Sequence, residues 1–328
     1  MKRLFNIVML LALFAVSGCR REPLHDLYAK ALLELDIDLD IVNRPGYPAP
    51  ETMLVLFYNP ETGELVSRDY VAPTGGELAV SPGDYDMFVY NFDTGHTEIG
   101  NINDFYRIEA GIHENESYLD KLFRSILDLY AKRASTGAAD AGRSSAPQHV
   151  MHEPDHLFLA DSQQVHIPVT VDVEIPAIIR MHARSIVQSW RLVIGPVNGS
   201  QHFKSAEVFL TGQTYAHRFH DGAETNGEAV IHFPIYLDSG SKDLTTVFNT
   251  FHKYPGAVAE VYLLVTDTSG RRFAYRYDVT GQFDDPLNTE QLIVIREQID
   301  IPEPSSGEGG GFDNEVNPYE DHIFDINI

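Results

Sequence analysis

Leu33-Glu34-Leu35-Asp36-Ile37-Asp38-Leu39-Asp40-Ile41 alternates without a break, an apolar side chain at every odd position and a carboxylate at every even one. Successive side chains of a β-strand point to opposite faces, so this stretch predicts a half-buried strand with its acids in water. The acidic row reads as a solvated face. Carboxylates on one strand face lack the loop that wraps a calcium ion. Further strand-like runs follow at Met53–Tyr58, Glu64–Tyr70 and Tyr85–Phe92. They are separated by Asn59-Pro60-Glu61-Thr62-Gly63, Thr74-Gly75-Gly76 and Ser81-Pro82-Gly83-Asp84, which carry the residues that hairpin connections need.

One segment changes period. From Glu116 to Arg133 the apolar residues Leu119, Leu122, Phe123, Ile126, Leu129 and Tyr130 recur at three- and four-residue intervals, and Lys132 and Arg133 lie near the end. This predicts a single amphipathic helix packed on a sheet. Residues 134–148 are rich in Ala, Ser and Gly and read as a flexible insertion loop. Alternation resumes at Val165–Ile175, and Pro176 marks the expected domain boundary. The second half carries β signal at Ile178–Ile194, Ser205–Leu210, Ala229–Leu237, Val258–Thr266, Arg272–Val279 and Gln291–Arg296. Short strands with one helix and no strand–helix–strand rhythm predict a mainly β chain of antiparallel sandwiches, one over residues 19–175 and one over 176–302. Residues 303–328 form an acidic, Gly-rich tail in which Phe324, Ile326 and Ile328 alternate with Asp325 and Asn327. That row predicts a terminal strand, either completing its own sheet or adding to a neighbouring subunit.

The N-terminus fixes a destination. Met1-Lys2-Arg3 is followed by an apolar stretch from Leu4 to Val16, interrupted only by Asn6, and then by Val16-Ser17-Gly18-Cys19. The stretch is too short to span a bilayer, and residues 1–18 read as a cleaved signal peptide. Cys19 is the only cysteine, so no intramolecular disulfide can form and stability must come from a core. Removing residues 1–18 takes away Lys2 and Arg3 and no acids, and the formal charge moves from −24 to −26. Such a chain repels nucleic acid and anionic headgroups.

Catalytic signals are weak. His152-Glu153-Pro154-Asp155-His156 satisfies the H-E-x-x-H pattern of zinc proteases, but that pattern requires a helix, and Pro154 removes a backbone donor and drives Glu153 out of helical geometry. A loop is expected instead. His149, His152 and His156 are weak metal candidates, and His217, His220 and Asp221 form a second small group. With fourteen histidines in the chain such pairs arise by chance. No paired carboxylates, nucleophile elbow or phosphate-binding glycine loop stands out, so no catalytic residue and no cofactor are assigned. Trp190 and the sixteen tyrosines offer aromatic surface for glycans, although aromatics on strands more often pack in a core.

Several short motifs carry a resemblance. Val16-Ser17-Gly18-Cys19 resembles the lipobox of bacterial lipoproteins, in which the cysteine is diacylglycerylated and becomes the new N-terminus. Met53-Leu54-Val55-Leu56-Phe57-Tyr58, Ser81-Pro82-Gly83-Asp84-Tyr85 leading to Tyr90-Asn91, Glu153-Pro154-Asp155-His156-Leu157, Tyr277-Asp278-Val279-Thr280 and Gly309-Gly310-Gly311-Phe312-Asp313 together resemble the fimbrillin and fimbrial-anchor lipoproteins of Bacteroidales-type bacteria. The resemblance implies two tandem transthyretin-like β-sandwich domains, an outer-membrane lipid anchor at Cys19, and a role in fimbrial assembly, anchoring or cell-surface adhesion. Its partners would be the membrane, fimbrial subunits or surface glycans. A surface ligand- or glycan-binding lipoprotein is the alternative, and neither reading is enzymatic.

Overall fold

The computed structural model describes residues 29–112, 117–134, 150–168, 176–303 and 322–325. Cys19, His149, the loop 135–148, Val169–Ile175, Ile326 and Ile328 lie outside them. The first half contributes β1 (Ala29–Ile37), β2 (Met53–Tyr58), β3 (Leu65–Val71), β4 (Gly75–Val80), β5 (Gly83–Asn91), β6 (Thr97–Gly100), β7 (Glu109–Ile112), the helix α1 (Ser117–Ala134), β8 (Val150–His152), β9 (Phe158–Ile167) and β10 (Ala177–Ser185). The second contributes β11 (Gln188–Ile194), β12 (Val197–Asn198), β13 (Phe203–Arg218), β14 (Glu224–Leu237), β15 (Leu244–Thr250), β16 (Glu260–Asp267), β17 (Arg272–Asp278), β18 (Leu292–Ile295), β19 (Ile299–Asp300) and β20 (His322–Asp325). The chain is mainly β, as its alternation predicts.

The first sheet runs β3-β2-β5-β9-β10-β1-β4. The alternating stretch that opens it forms a strand only as far as Ile37. Asp38 still donates its N–H to Ala183 O at 2.9 Å, and the chain then turns, Ile41 N–H bonding back to Leu39 O. The alternation nevertheless sorts the side chains. Ala31, Leu33, Leu35 and Ile41 are buried in one core, while Glu34 and Asp36 are exposed and meet Arg180 at 2.7 Å and His182 at 3.1 Å across the ladder. Of Thr74-Gly75-Gly76, expected as a connection, Thr74 lies in the tight turn closed by Gly75 N–H to Ala72 O at 2.8 Å, while Gly75 and Gly76 already begin β4, which pairs antiparallel with β1. Gly75 makes this approach possible: it sits at φ +97°, and a Cβ there would fall 1.9 Å from the carbonyl oxygen of Leu33.

β2 and β5 lie at the centre of the molecule. Met53, Val55, Phe57, Met87 and Val89 face the core shared with β1, β4 and β10, whereas Leu54, Leu56, Tyr58, Phe88 and Tyr90 face the core of the second sheet. Both faces are therefore apolar, as a continuous hydrophobic run requires. Phe88 stacks on Phe105 at 4.6 Å and meets Phe219 edge-on at 5.5 Å, so aromatic packing ties the two halves together.

The second sheet runs β18-β11-β15-β14-β13-β16-β17-β20, with β7 on β13 and β8 on β14. Two sequence expectations change here. The run Ile178–Ile194 divides into β10, which pairs with β1 and β9, and β11, which pairs with β15 and β18. The chain thus crosses between sheets at Ile186–Val187 and not at Pro176. Helix α1, placed with the N-terminal half on sequence grounds, packs on the second sheet. Leu122, Phe123 and Ile126 cover Phe209, Tyr262, Leu264 and Ala274, an apolar outer face that water would otherwise meet.

Candidate functional site

Two features stand out, a partly buried polar clasp between the halves and a strand edge bearing the tail. The clasp is built on the segment 153–157, which runs as irregular chain between β8 and β9. Pro154 denies it a helix and leaves each side chain free to reach a different neighbour. The Glu153 carboxylate accepts the N–H of Asn249 at 2.8 Å and lies 3.3 Å from the Arg44 guanidinium. Burial pushes this carboxyl above its usual range, against the lowering influence of Arg44 and of the Asn249 amide. Arg44 also donates to Val247 O at 2.8 Å, which joins the turn after β1 to β15.

The Asp155 carboxylate takes the opposite side, accepting the backbone N–H groups of Gly95 at 2.8 Å and Thr97 at 3.1 Å, with His96 N–H between them. Three amides converging on one oxygen fix the β5–β6 connection. Asn91 closes the clasp from within: its amide donates to His156 O at 3.1 Å and its carbonyl accepts Phe158 N–H at 2.7 Å.

His156 is 1% exposed and spends both ring nitrogens on hydroxyls, Ser185 at 3.1 Å from Nδ1 and Ser189 at 3.1 Å from Nε2. Burial, and then Arg44, hold its pKa down to about 4, so the ring is neutral. Ser189 passes the chain of bonds to Asn249, whose own amide returns to Pro154 O at 3.0 Å. His152, at the end of β8, stacks on His96 with ring centroids 4.6 Å apart. The histidines of the H-E-x-x-H pattern thus serve different neighbours, and among the described residues no three His, Cys, Asp or Glu side chains are gathered to hold a metal ion. His217 and His252 meet edge-on at 5.6 Å, while His220 packs against Phe105 and Tyr106 and Asp221 is engaged by Arg218 at 2.6 Å.

At the far edge of the second sheet, β20 lies parallel to β17 with Phe324 opposite Tyr275 and Ile323 opposite Ala274. The tail strand read from alternation begins earlier than Phe324, at His322. The clasp residues other than those of segment 153–157 were not singled out by function in the sequence. The one available signal was a polar side chain inside an apolar run, Asn91 after Tyr85–Tyr90 and Asn249 within Val247–Phe251.

A mainly β chain of two large sheets and the small β12–β19 pair, tied by aromatic and polar contacts and with β20 on one sheet edge, defines a class of scaffold and not a chemistry. The chain belongs to the DUF5119 family, a domain of unknown function whose pattern matches residues 18–233. It is 33% identical over 105 residues to a provisionally named fimbrium anchoring subunit, Fim4B, of Bacteroides ovatus, a match spanning 32% of this chain and 30% of that relative. A provisionally classed adhesin of Bacteroides ovatus has the same fold: its crystal structure superimposes with a TM-score of 0.58 at 18% identity, covering 88% of this chain and 99% of that one. The fimbrial anchor protein Mfa2 of Porphyromonas gingivalis superimposes more loosely, with a TM-score of 0.45 at 15% identity over 82% of this chain and 90% of that protein. The resemblance drawn from the short motifs thus holds, with a provisionally named fimbrium anchoring subunit as a sequence relative and a shared fold in the solved adhesin structure.

Proposed function

We propose that this protein is a lipid-anchored component of the outer membrane that holds or assembles fimbriae. The observation that carries the reading is the end of the second sheet, where β17 is covered only by β20, a short C-terminal strand paired with it in parallel. An edge strand presents unpaired backbone groups and templates a further strand. Exchange of such a short edge segment would give a subunit a way to receive or donate a strand. The relationship to a fimbrium anchoring subunit supports the same role, and the lipobox at Cys19 supplies the membrane attachment, since acyl chains contribute about 0.8 kcal/mol per buried CH₂. No helix among the described residues is long and apolar enough to cross a membrane. In this reading the two sheets correspond to the tandem transthyretin-like units, the clasp fixes their relative orientation under load, and the protein performs no catalysis.

Deleting residues 312–328 tests the assignment of the edge. Strand exchange predicts a folded monomer and loss of cell-bound fimbriae. A tail that serves only its own sheet predicts a lower melting temperature with fimbriae retained, and an unchanged melting temperature with fimbriae retained removes the tail from the account.

A further inference from the structure

Where β11 begins, the loop 251–258 and the segment 280–291 border a cleft of about 750 Å³, lined by residues that take no part in the clasp bonds or the β17 ladder. Its volume falls in the range of small-molecule sites, about 300–1,000 Å³. Its apolar side is formed by Trp190 and Phe283, whose rings meet at 4.5 Å and 48°; Trp190 is 6% exposed, and its indole N–H is already committed to Gln188. Pro255, Ala257 and Val258 extend the apolar lining, and Gln188, Asp284, Asp285 and Gln291 supply polar groups.

The walls are held in place before any ligand arrives. Asn288 donates to Gln282 O and Leu292 O and accepts from Leu292 N–H, while Gln282 bridges to both backbone groups of Val294. Lys253 is pinned between Asp284 at 3.1 Å and Ala257 O at 3.0 Å. Gln291 stands at φ +51°, a conformation that costs a non-glycine residue energy and that clusters at ligand clamps. Its backbone is fixed there, its N–H bonded to Asn288 O and its carbonyl accepting from Arg191 and Asn43, while its side chain has no hydrogen bond among the described residues.

We infer that this cleft binds a neutral oligosaccharide. A pyranose has an apolar C–H face that packs on an aromatic ring, here the half-buried Phe283 backed by Trp190, and a rim of hydroxyls that both donate and accept. Carboxylates that only accept and amides that do both match that rim. Lys253 is neutralised by Asp284, and Asp285 leaves the lining with a negative excess, which disfavours anionic ligands. A purely apolar guest would strand the same groups without partners.

Trp190 is the only tryptophan, so its emission reports on this cleft alone. The test titrates the full mature chain with cellohexaose, maltohexaose, mannohexaose and a galactohexaose, with a heparin hexasaccharide as the anionic comparison. The expected result is a saturable change in emission with at least one neutral sugar and a weaker response to heparin. Asp285→Ala and Gln291→Gly should each weaken binding about tenfold or more. Gln291→Gly should leave the melting temperature equal or higher, because glycine accepts φ +51° without strain. The inference is overturned if folded protein gives neither emission change nor calorimetric heat with any neutral sugar at about 10 mM. It is equally overturned if neither substitution weakens binding, or if heparin binds more tightly. None of these outcomes bears on the fimbrial role, which is read from retention of fimbriae on cells.

Discussion

Replacing Asn91 with alanine should cost about 3 kcal/mol, far more than a surface asparagine. The side chain is 4% exposed and joins the end of β5 to the clasp by donating to His156 O and accepting from Phe158 N–H. Alanine removes both partners without offering water a way in. An orphaned buried group costs about 1–3 kcal/mol, and a stranded N–H is tolerated less well than a carbonyl with two lone pairs. The loss of Phe158's acceptor should therefore dominate, with His156 O adding a smaller share. In urea, with a slope of about 3 kcal/mol/M, the midpoint should fall by about 1 M. Asn198→Ala, which removes only an exposed bond to Asp300, should leave it unchanged. A fall below about 0.2 M for Asn91→Ala with an unchanged slope would refute the reasoning, because the clasp would then contribute nothing beyond its surface counterpart.

Other consequences are equally direct. His156, His217 and His232 all have pKa values held down to about 4, in each case first by burial, so the unfolded chain binds more protons than the folded one between pH 4 and about 6.5. Their stabilisation is complete above pH 6.5 and is lost as pH falls toward 4. For His156 alone it amounts to about 3 kcal/mol at 1.36 kcal/mol per pH unit. Glu153 and Glu207, raised by burial, titrate the other way and reduce the net loss. Urea midpoints measured from pH 7.5 to 4.5 should fall, and replacing His156 should flatten the slope. Phe123 is 1% exposed, stacked on Phe209 at 5.2 Å and edge-on to Tyr262 at 5.4 Å, so Phe123→Ala should destabilise by about 3–5 kcal/mol in thermal or urea unfolding.

Local pattern made much of this fold legible. The apolar run Met53–Tyr58 and the period of Leu122, Phe123 and Ile126 predict β2 and α1 because each side chain is sorted by its own element. What periodicity does not encode is partnership. Alternation continues on both sides of Ile186–Val187, so nothing local says that Leu33 pairs in parallel with Ile179 while Trp190 pairs with Phe248. The helix could be drawn but not docked, since its cover is the outer face of strands that follow it by many residues. Gly75-Gly76 reads as a turn when its glycine is needed for close approach to Leu33. The clasp was hidden for the same reason: Arg44, Asn91, Asp155, Ser189 and Asn249 are scattered through the chain with no spacing to connect them. Only Pro154 spoke clearly, and what it said was that Glu153 and His156 cannot share a helical face.

Whether lipid at Cys19 ties fimbriae to the envelope is decided by where fimbrial subunits collect once that cysteine is replaced. Fimbrial subunits are quantified in the outer-membrane pellet and in the culture medium of cells carrying wild-type protein or Cys19→Ala. The account predicts that the substituted protein loses its membrane attachment and that fimbrial material moves with it into the medium. If Cys19→Ala protein and fimbriae both remain with the outer membrane, the account is contradicted.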